Sequence, residues 1–178
     1  MDQIKSDLNP YVSKFIPNNC ANEPCPYMTD SDETDPREII FKGKNFFVDE
    51  IDKEEDGKFR RMIAFQSQCQ IQSQVKLRGN GMIDWSYLDF ETHKLALIPI
   101  SYAFSKQKDL NLLMLGSAGQ VFSTFIQKSF PRIQVTCIDN DSETFEIAKN
   151  NFEAEEKSNN QTKDAYEFIS KASNSMYD

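Results

Sequence analysis

Two short apolar runs, separated by a small-residue loop and a helical segment, constrain the fold of this chain most strongly. Residues 110–115 read Leu-Asn-Leu-Leu-Met-Leu, residues 116–119 read Gly-Ser-Ala-Gly, and residues 133–138 read Ile-Gln-Val-Thr-Cys-Ile. The first run is too apolar to alternate, which predicts a strand buried on both faces, as in a parallel sheet. Helices are predicted after each strand, the second over about 142–152. This strand–helix–strand–helix order predicts a parallel βαβ unit that begins a doubly wound α/β sheet.

The loop and the end of the second strand form a candidate ligand pocket. Small residues permit a tight turn and let backbone N–H groups approach a ligand. Asp139 follows Gly119 by about 20 residues, the spacing at which an acid reaches a ribose hydroxyl, and Asp141 is predicted to cap the next helix. Ala118 and Val121 replace two of the three glycines of a dinucleotide fingerprint. The pattern therefore disfavours NAD, and from spacing alone a ligand pocket and a plain tight turn remain alternatives.

Upstream of this unit the pattern predicts two β-hairpins. Residues 38–42 and 45–49 flank a Gly-Lys turn, and residues 59–65 and 68–77 make a second pair. Five glutamines recur at every second position and predict one polar face, either solvated or the wall of a polar pocket; they are Gln66, Gln68, Gln70, Gln72 and Gln74. The opposite face is predicted to carry Phe65, Cys69, Ile71 and Val75.

A helix is predicted next, with Asp84 or Ser86 as its N-cap, Asp89 in its first turn and a kink or division at Pro99. Residues 1–36 instead combine several X-Pro steps with an acidic run, which predicts a disordered tail. We therefore expect a tail over 1–36, a β-hairpin region over 37–84 and a partial Rossmann-like domain over 85–178.

The charge balance limits the partners. Twenty Lys and Arg against 28 Asp and Glu give a net charge of −8, which disfavours nucleic acid and polybasic membrane contacts. No apolar run is long enough to span a bilayer, and the N-terminus lacks a signal peptide, so we expect a cytoplasmic protein with reduced cysteines. Cys20 and Cys25 lack a second ligand pair, so no metal site is predicted.

Short runs in a fixed order resemble one known family over about residues 37–178. They include 60–65 (Arg-Arg-Met-Ile-Ala-Phe), 71–74 (Ile-Gln-Ser-Gln), 83–88 (Ile-Asp-Trp-Ser-Tyr-Leu), 93–94, 112–119, 130–131, 138–139, 146–148 and 163–169 (Lys-Asp-Ala-Tyr-Glu-Phe-Ile). The order resembles that of the spermidine-synthase-like S-adenosylmethionine-dependent methyltransferases. The resemblance implies N-terminal β-hairpins followed by the first half of a Rossmann-like class I methyltransferase sheet, with S-adenosyl-L-methionine as cofactor.

The resemblance also implies roles for single residues. The loop residues Gly116, Ser117, Ala118 and Gly119 would line the methionine end of the cofactor. Asp139 would accept the ribose hydroxyls, and Asp164, with Ala165 beside it, would bind the adenine amino group. Gln72 would reach the cofactor from the other side. No catalytic residue is assigned.

The chain departs from the family pattern in two ways. The family has glycine where this chain has Ala118 and Gln120, so we expect reduced cofactor affinity. The chain also ends at Asp178, where the family's fourth strand would open. We therefore expect a C-terminally incomplete chain (a fragment, a truncated gene model or a decayed paralogue) that is inactive alone.

The sequence is compatible with three functions. The first is methylation of a protein lysine or N-terminus, with translation factors among the candidate substrates. The second is polyamine (aminopropyl) synthesis, which requires acidic residues where residues 75–78 read Val-Lys-Leu-Arg. The third is a non-catalytic binding module. His93, Trp85 and Tyr87 are interpreted as packing residues, with an active-site role for His93 as the alternative. The oligomeric state is not predicted.

Overall fold

The computed structural model describes residues 37–53, 55–65, 70–107, 109–154, 159–172 and 177. The predicted tail with Cys20 and Cys25 lies outside the described residues, as do Gln66, Gln68 and Cys69. No helix within the described ranges is long and apolar enough to cross a bilayer.

Four antiparallel strands form the first sheet, in the order β1-β2-β3-β4. They are β1 (Arg37–Lys42), β2 (Phe46–Lys53), β3 (Gly57–Ala64) and β4 (Ile71–Lys76). The two predicted hairpins are thereby confirmed. Each strand pairs with its neighbour in the chain, because short turns favour antiparallel pairing of consecutive strands.

A register shift between β3 and β4 changes the predicted faces of β4. Met62 pairs with Ser73 but Ile63 pairs with Ile71, so one residue of β4 is bulged. Ile71 therefore packs beside Ile63, whereas Val75 packs in a different cluster with Met62. The prediction that Ile71 and Val75 share one face is wrong, because an extra residue in one strand reverses the alternation beyond it.

The segment after β4 continues the sheet instead of starting a helix. Leu77 bridges Ile83, and the Asp84 N–H donates to the Lys76 carbonyl at 2.8 Å. The Asp84 carboxylate accepts the Ser86 N–H at 3.1 Å, which closes a local turn. Helix α1 (Glu91–Lys106) begins later, after Phe90, and runs undivided through Pro99. The predicted N-cap at Asp84 or Ser86 is therefore wrong, and so is a division at Pro99.

A parallel sheet of order β5-β6-β7 follows. Its elements are β5 (Leu110–Leu115), α2 (Val121–Ser129), β6 (Ile133–Asp139), α3 (Ser142–Asn151), β7 (Asn159–Thr162) and α4 (Ala165–Lys171). The predicted βαβ unit is confirmed, and Asp141 caps α3 by accepting the Glu143 N–H at 2.9 Å. Strand β7 was not predicted, because its sequence Asn-Asn-Gln-Thr has no apolar residue.

Strand β5 is not buried on both faces as predicted. Leu110 is 1% exposed, but Leu112, Leu113 and Met114 are half-buried and Leu115 is 41% exposed. In the described parallel sheet β5 is an edge strand, paired only with β6. The apolar sequence of β5 predicts burial on both faces of the strand. In the described residues, however, no element lies beside its free edge or covers part of one of its faces.

Among the described residues, one of three hydrophobic clusters joins the first sheet to the helices of the parallel unit. Side chains from the first sheet (Val48, Met62 and Val75) pack in the same cluster as Ile147 and Phe152 of the second unit. Polar contacts join the same two parts at the β1–β2 turn. There the Glu143 carboxylate at the start of α3 accepts the N–H groups of Lys44 at 2.6 Å and Asn45 at 2.9 Å. The hairpins therefore lie against the end of β6, where the candidate pocket begins.

Candidate functional site

The carboxyl ends of the three parallel strands bring most of the predicted site residues together. The loop 116–119 follows β5, Asp139 ends β6, and Asp164 and Ala165 follow β7. Ligands of open α/β sheets bind at this edge because the strand ends and the loops after them open a crevice there. Gln72 is the exception, since it lies on β4 of the other sheet.

Two features fix the path of the loop. Gly116 has φ 73°, and Ala118 and Gln120 have φ 43° and 55° although neither is glycine. A left-handed backbone costs a residue with a Cβ about 1–2 kcal/mol, so the loop is strained at two positions. Gly119 is needed for a different reason: a Cβ there would lie 2.9 Å from the Ser73 side chain of β4.

Every backbone N–H from 116 to 120 has an acceptor inside the chain. Gly116 donates to the Ile138 carbonyl and Gln120 to the Ser117 carbonyl, both at 2.8 Å. Gly119 donates to the Ser73 hydroxyl at 2.9 Å. The Ser117 and Ala118 N–H groups donate to Asp139 Oδ2. We predicted that these amides would approach a ligand, but in the structure each of them donates to a group of the chain itself.

Asp139 binds this loop through its side chain. Its Oδ2 accepts the N–H of Ser117 at 2.8 Å and of Ala118 at 3.1 Å, and its Oδ1 accepts the N–H of Asp141 at 3.2 Å. The side chain is buried among these donors, with the residue 9% exposed. A carboxylate has about four lone-pair sites, so Oδ1 retains the capacity to accept a further hydrogen bond.

Asp164 lies at the exposed end of the same edge. Its Oδ1 accepts the Glu167 N–H at 2.8 Å, which makes it the N-cap of α4, and Ala165 is the first residue of that helix. The adjacent Lys163 N–H donates to the Asp139 carbonyl at 2.9 Å. Asp139 and Asp164 are thereby held at neighbouring strand ends.

Gln72 and Gln74 have separate environments on β4. The half-buried Gln72 donates from Nε2 to the Gln70 carbonyl at 3.4 Å. Gln74 is 4% exposed and donates to Asp89 Oδ2 at 2.7 Å, while Asp89 Oδ1 accepts the Tyr87 hydroxyl at 3.0 Å. Gln70 is exposed and Gln74 is buried in a polar network, and the bulge in β4 places them on opposite faces. The predicted single glutamine face is therefore wrong for these two residues.

Several site residues were missed by the sequence reasoning. Ser73 lies in the quoted 71–74 run and contacts the loop, as noted above. Gln120 is 1% exposed, and its Nε2 donates to Asn160 Oδ1 of β7 at 2.7 Å. Three buried oxygens in this region have no hydrogen-bond partner among the described residues: Ser117 Oγ, Gln120 Oε1 and Thr124 Oγ1. The one available signal was that Gln120 stands where the family has glycine.

The predicted packing residues do pack. The His93 ring stacks on Phe122 of α2 at 4.8 Å between centroids and meets Phe90 edge-on at 5.2 Å. Burial lowers the pKa of His93, and the nearby Asp89 carboxylate opposes this in part. The Trp85 Nε1 donates to Glu153 at 2.9 Å. These contacts support the packing interpretation, in which His93 is neutral at pH 7.

The Cys137 thiol beneath the site is not a nucleophile at neutral pH. It is fully buried in β6. Burial raises its pKa to about 11, with a smaller lowering by the Ser123 hydrogen bond and a further rise from Asp139. The thiolate, which is the reactive form, is therefore scarce.

A cavity of about 640 Å³ lies at the other end of the parallel strands. It is lined by residues at the amino ends of all three strands, including Asn111, Ile133 and Asn159. None of the residues predicted to bind a ligand contributes to it. The carboxyl edge therefore remains the candidate site on chemical grounds.

The chain is similar to known methyltransferases in sequence. No family model matches the chain. It is 24% identical over 172 residues to an "eEF1A lysine and N-terminal methyltransferase homolog" of Drosophila pseudoobscura pseudoobscura, covering 86% of this chain and 25% of that protein. It is 24% identical over 190 residues to the "eEF1A lysine and N-terminal methyltransferase" of Xenopus laevis, covering 85% and 27%. The chain thus spans about a quarter of the length of these curated relatives.

A solved structure shares the fold. The crystal structure of a probable spermidine synthase from Corynebacterium glutamicum ATCC 13032 superposes with a TM-score of 0.55 at 14% identity, over 72% of this chain and 45% of that one. The predicted α/β class, with antiparallel hairpins before a parallel sheet, is confirmed. The predicted resemblance is also confirmed, since the curated relatives are methyltransferases and the structural neighbour has the spermidine-synthase fold.

Proposed function

We propose that this chain is a methyltransferase-type domain that binds S-adenosyl-L-methionine at the carboxyl edge of β5, β6 and β7. One observation carries the proposal: the 116–120 amides are already bonded within the chain, while oxygen acceptors remain at the site. Such a site favours a ligand that brings hydrogen-bond donors and positive charge. S-adenosylmethionine brings an ammonium, a sulfonium, two ribose hydroxyls and an adenine amino group.

The residues present fit this ligand one by one. Asp139, through Oδ1, would accept a ribose hydroxyl, and Asp164 would bind the adenine amino group beside Ala165. The loop 116–119 would line the methionine end. Gln72 would approach from β4, the strand that contacts the loop through Ser73. The bound cofactor would supply a methyl group for transfer to a nucleophile.

The same observation opposes a dinucleotide. A pyrophosphate is held by free N–H groups of a glycine-rich loop at a helix start. Here the Ser117 and Ala118 N–H groups donate to the Asp139 carboxylate, which would repel a phosphate at that position. This supports the prediction that the site does not take NAD.

For the acceptor substrate we propose a protein amine, a lysine side chain or an N-terminus. The relatives' names refer to both groups on the translation factor eEF1A, which makes a translation factor the first candidate and the cytoplasm the place of action. Methyl transfer needs no covalent enzyme intermediate, so alignment of amine and methyl group supplies much of the rate.

Polyamine synthesis is the less supported alternative. The resemblance requires carboxylates directly after the β4 glutamine, but residues 75–78 read Val-Lys-Leu-Arg, with Lys76 ending β4 and Arg78 beyond it. The Lys76 Nζ lies 5.3 Å from the Tyr87 ring centroid, and Arg78 pairs with Asp84 at 3.2 Å. A non-catalytic binding module is favoured to the extent that the strained residues Ala118 and Gln120 weaken cofactor binding.

Calorimetry with S-adenosylhomocysteine, NAD and spermidine tests the proposal on the full chain. We expect weak but saturable binding of S-adenosylhomocysteine and no heat from the other two ligands. Asp164→Ala should weaken binding, whereas Glu167→Ala, at an exposed position one turn further along α4, serves as the matched control. Tight NAD binding, or no binding of S-adenosylhomocysteine, would contradict the proposal. A methylation assay with eEF1A then tests the acceptor.

A further inference from the structure

Unpaired oxygens mark the buried side of the loop and of the first turn of α2. Within the part of the chain that the structure describes, Ser117 Oγ, Gln120 Oε1 and Thr124 Oγ1 have no hydrogen-bond partner, and their residues are 6%, 1% and 0% exposed. A buried polar group left unpaired costs about 1–3 kcal/mol. Native proteins seldom keep such groups without a reason, which can be a bound water or a ligand.

Gln120 determines which kind of group would complete this cluster. Its Nε2 already donates to Asn160 Oδ1, so the unpaired atom is the carbonyl oxygen, which can only accept. Ser117 lies one turn before it, with its N–H on the Asp139 carboxylate and its carbonyl bonded to the Gln120 N–H. The missing partner must therefore be a donor, and the Asp139 charge favours a cation.

We propose that Gln120 Oε1 and Ser117 Oγ accept hydrogen bonds from the α-ammonium group of S-adenosylmethionine, which makes Gln120 a specificity residue for the amino-acid end. The inference rests on the proposed function and extends it to a residue where the family has glycine. An ammonium group carries three donors and no acceptor, so it can donate to both of these oxygens. Because both oxygens are buried behind the loop, binding requires the loop to move outwards.

A pair of ligands tests this inference separately from the proposed function. S-adenosylhomocysteine and 5′-methylthioadenosine share the adenosine and the thioether, but only the first has the ammonium group. In calorimetry on the full chain, Gln120→Met should weaken S-adenosylhomocysteine binding about tenfold and leave 5′-methylthioadenosine binding unchanged. Gln120→Glu keeps an acceptor oxygen of the same reach and should retain binding.

Thr124→Val is the matched control, because it removes an unpaired hydroxyl one turn further along α2. We expect it to raise the melting temperature and to leave both affinities unchanged. Equal weakening of the two ligands by Gln120→Met, or no weakening of either, would overturn the inference and leave a buried water as the partner of Gln120. If the wild-type chain binds neither ligand, the proposed function itself fails.

Discussion

The Asp139 carboxylate accepts the Ser117 N–H at 2.8 Å, across the gap between the ends of β6 and β5. The same oxygen accepts the Ala118 N–H at 3.1 Å. The residue predicted to bind a sugar hydroxyl therefore also holds the loop in its conformation. Loop shape and ligand recognition at this site share one side chain.

Replacement of Asp139 should consequently affect stability and binding together. Asp139→Ala leaves the three N–H groups of Ser117, Ala118 and Asp141 without their acceptor, at a cost of about 2–4 kcal/mol in the free energy of unfolding. Asp139→Asn keeps an acceptor oxygen and should lose less stability, but it removes the charge and should weaken S-adenosylhomocysteine binding. Urea unfolding and calorimetry measure the two effects. Unchanged unfolding of Asp139→Ala would show that the carboxylate does not hold the loop.

The close approach of β4 to the loop depends on Gly119. A Cβ at this position would lie 2.9 Å from the Ser73 side chain and 3.2 Å from Phe152. We expect Gly119→Ala to destabilise the chain by about 1–3 kcal/mol, as overpacked substitutions do. Gly79→Ala is the matched control, since a Cβ at residue 79 would have no atom within 4 Å. Equal melting temperatures for the two variants would refute the close contact.

The buried pair Asp49 and Arg61 joins β2 and β3 through two hydrogen bonds of 2.6 and 2.9 Å. Asp49 is 0% exposed, so Arg61→Met would leave a buried carboxylate without this partner. We expect a loss of about 3–5 kcal/mol in unfolding free energy. The double variant Asp49→Leu with Arg61→Met removes both charges and should recover most of the loss. A double variant as unstable as the single one would contradict this account.

Protonation of His93 should oppose folding. Its pKa is lowered in the folded chain, mainly by burial, so below about pH 6.5 the unfolded chain binds more protons than the folded one. The stability contributed by neutral His93 is complete above that pH and is lost as the pH falls through the folded-state pKa. The melting temperature should therefore fall more between pH 7.5 and 5.5 for wild type than for His93→Gln. Parallel pH profiles would contradict the prediction.

The elements with strong local signals were predictable from the sequence. A few adjacent residues are enough to predict each of these elements. They are the apolar strands β5 and β6, the loop of small residues between β5 and α2, and the turn of the first hairpin. Asp139, at the end of an apolar run, could likewise be assigned to the edge of a parallel sheet. Hydrophobic periodicity and turn chemistry are local properties, so they can be recognised in the sequence without knowledge of the fold.

Other features have no such signal. Strand β7 is polar throughout and exists because its backbone pairs with β6. The bulge that separates Ile71 from Val75 depends on pairing with β3, and Asp84 turns the chain because its N–H bonds back to β4. Each of these outcomes is decided by partners distant in the chain.

The sequence by itself therefore determined which segments form the βαβ unit and which carboxylate ends its second strand, because side-chain size and periodicity encode both. Only the tertiary structure decided that this carboxylate accepts the N–H groups of the loop and that the side-chain oxygen of Gln120 is left unpaired. Hydrogen bonds form between groups that folding brings within about 3 Å, and that proximity is a property of the packed molecule.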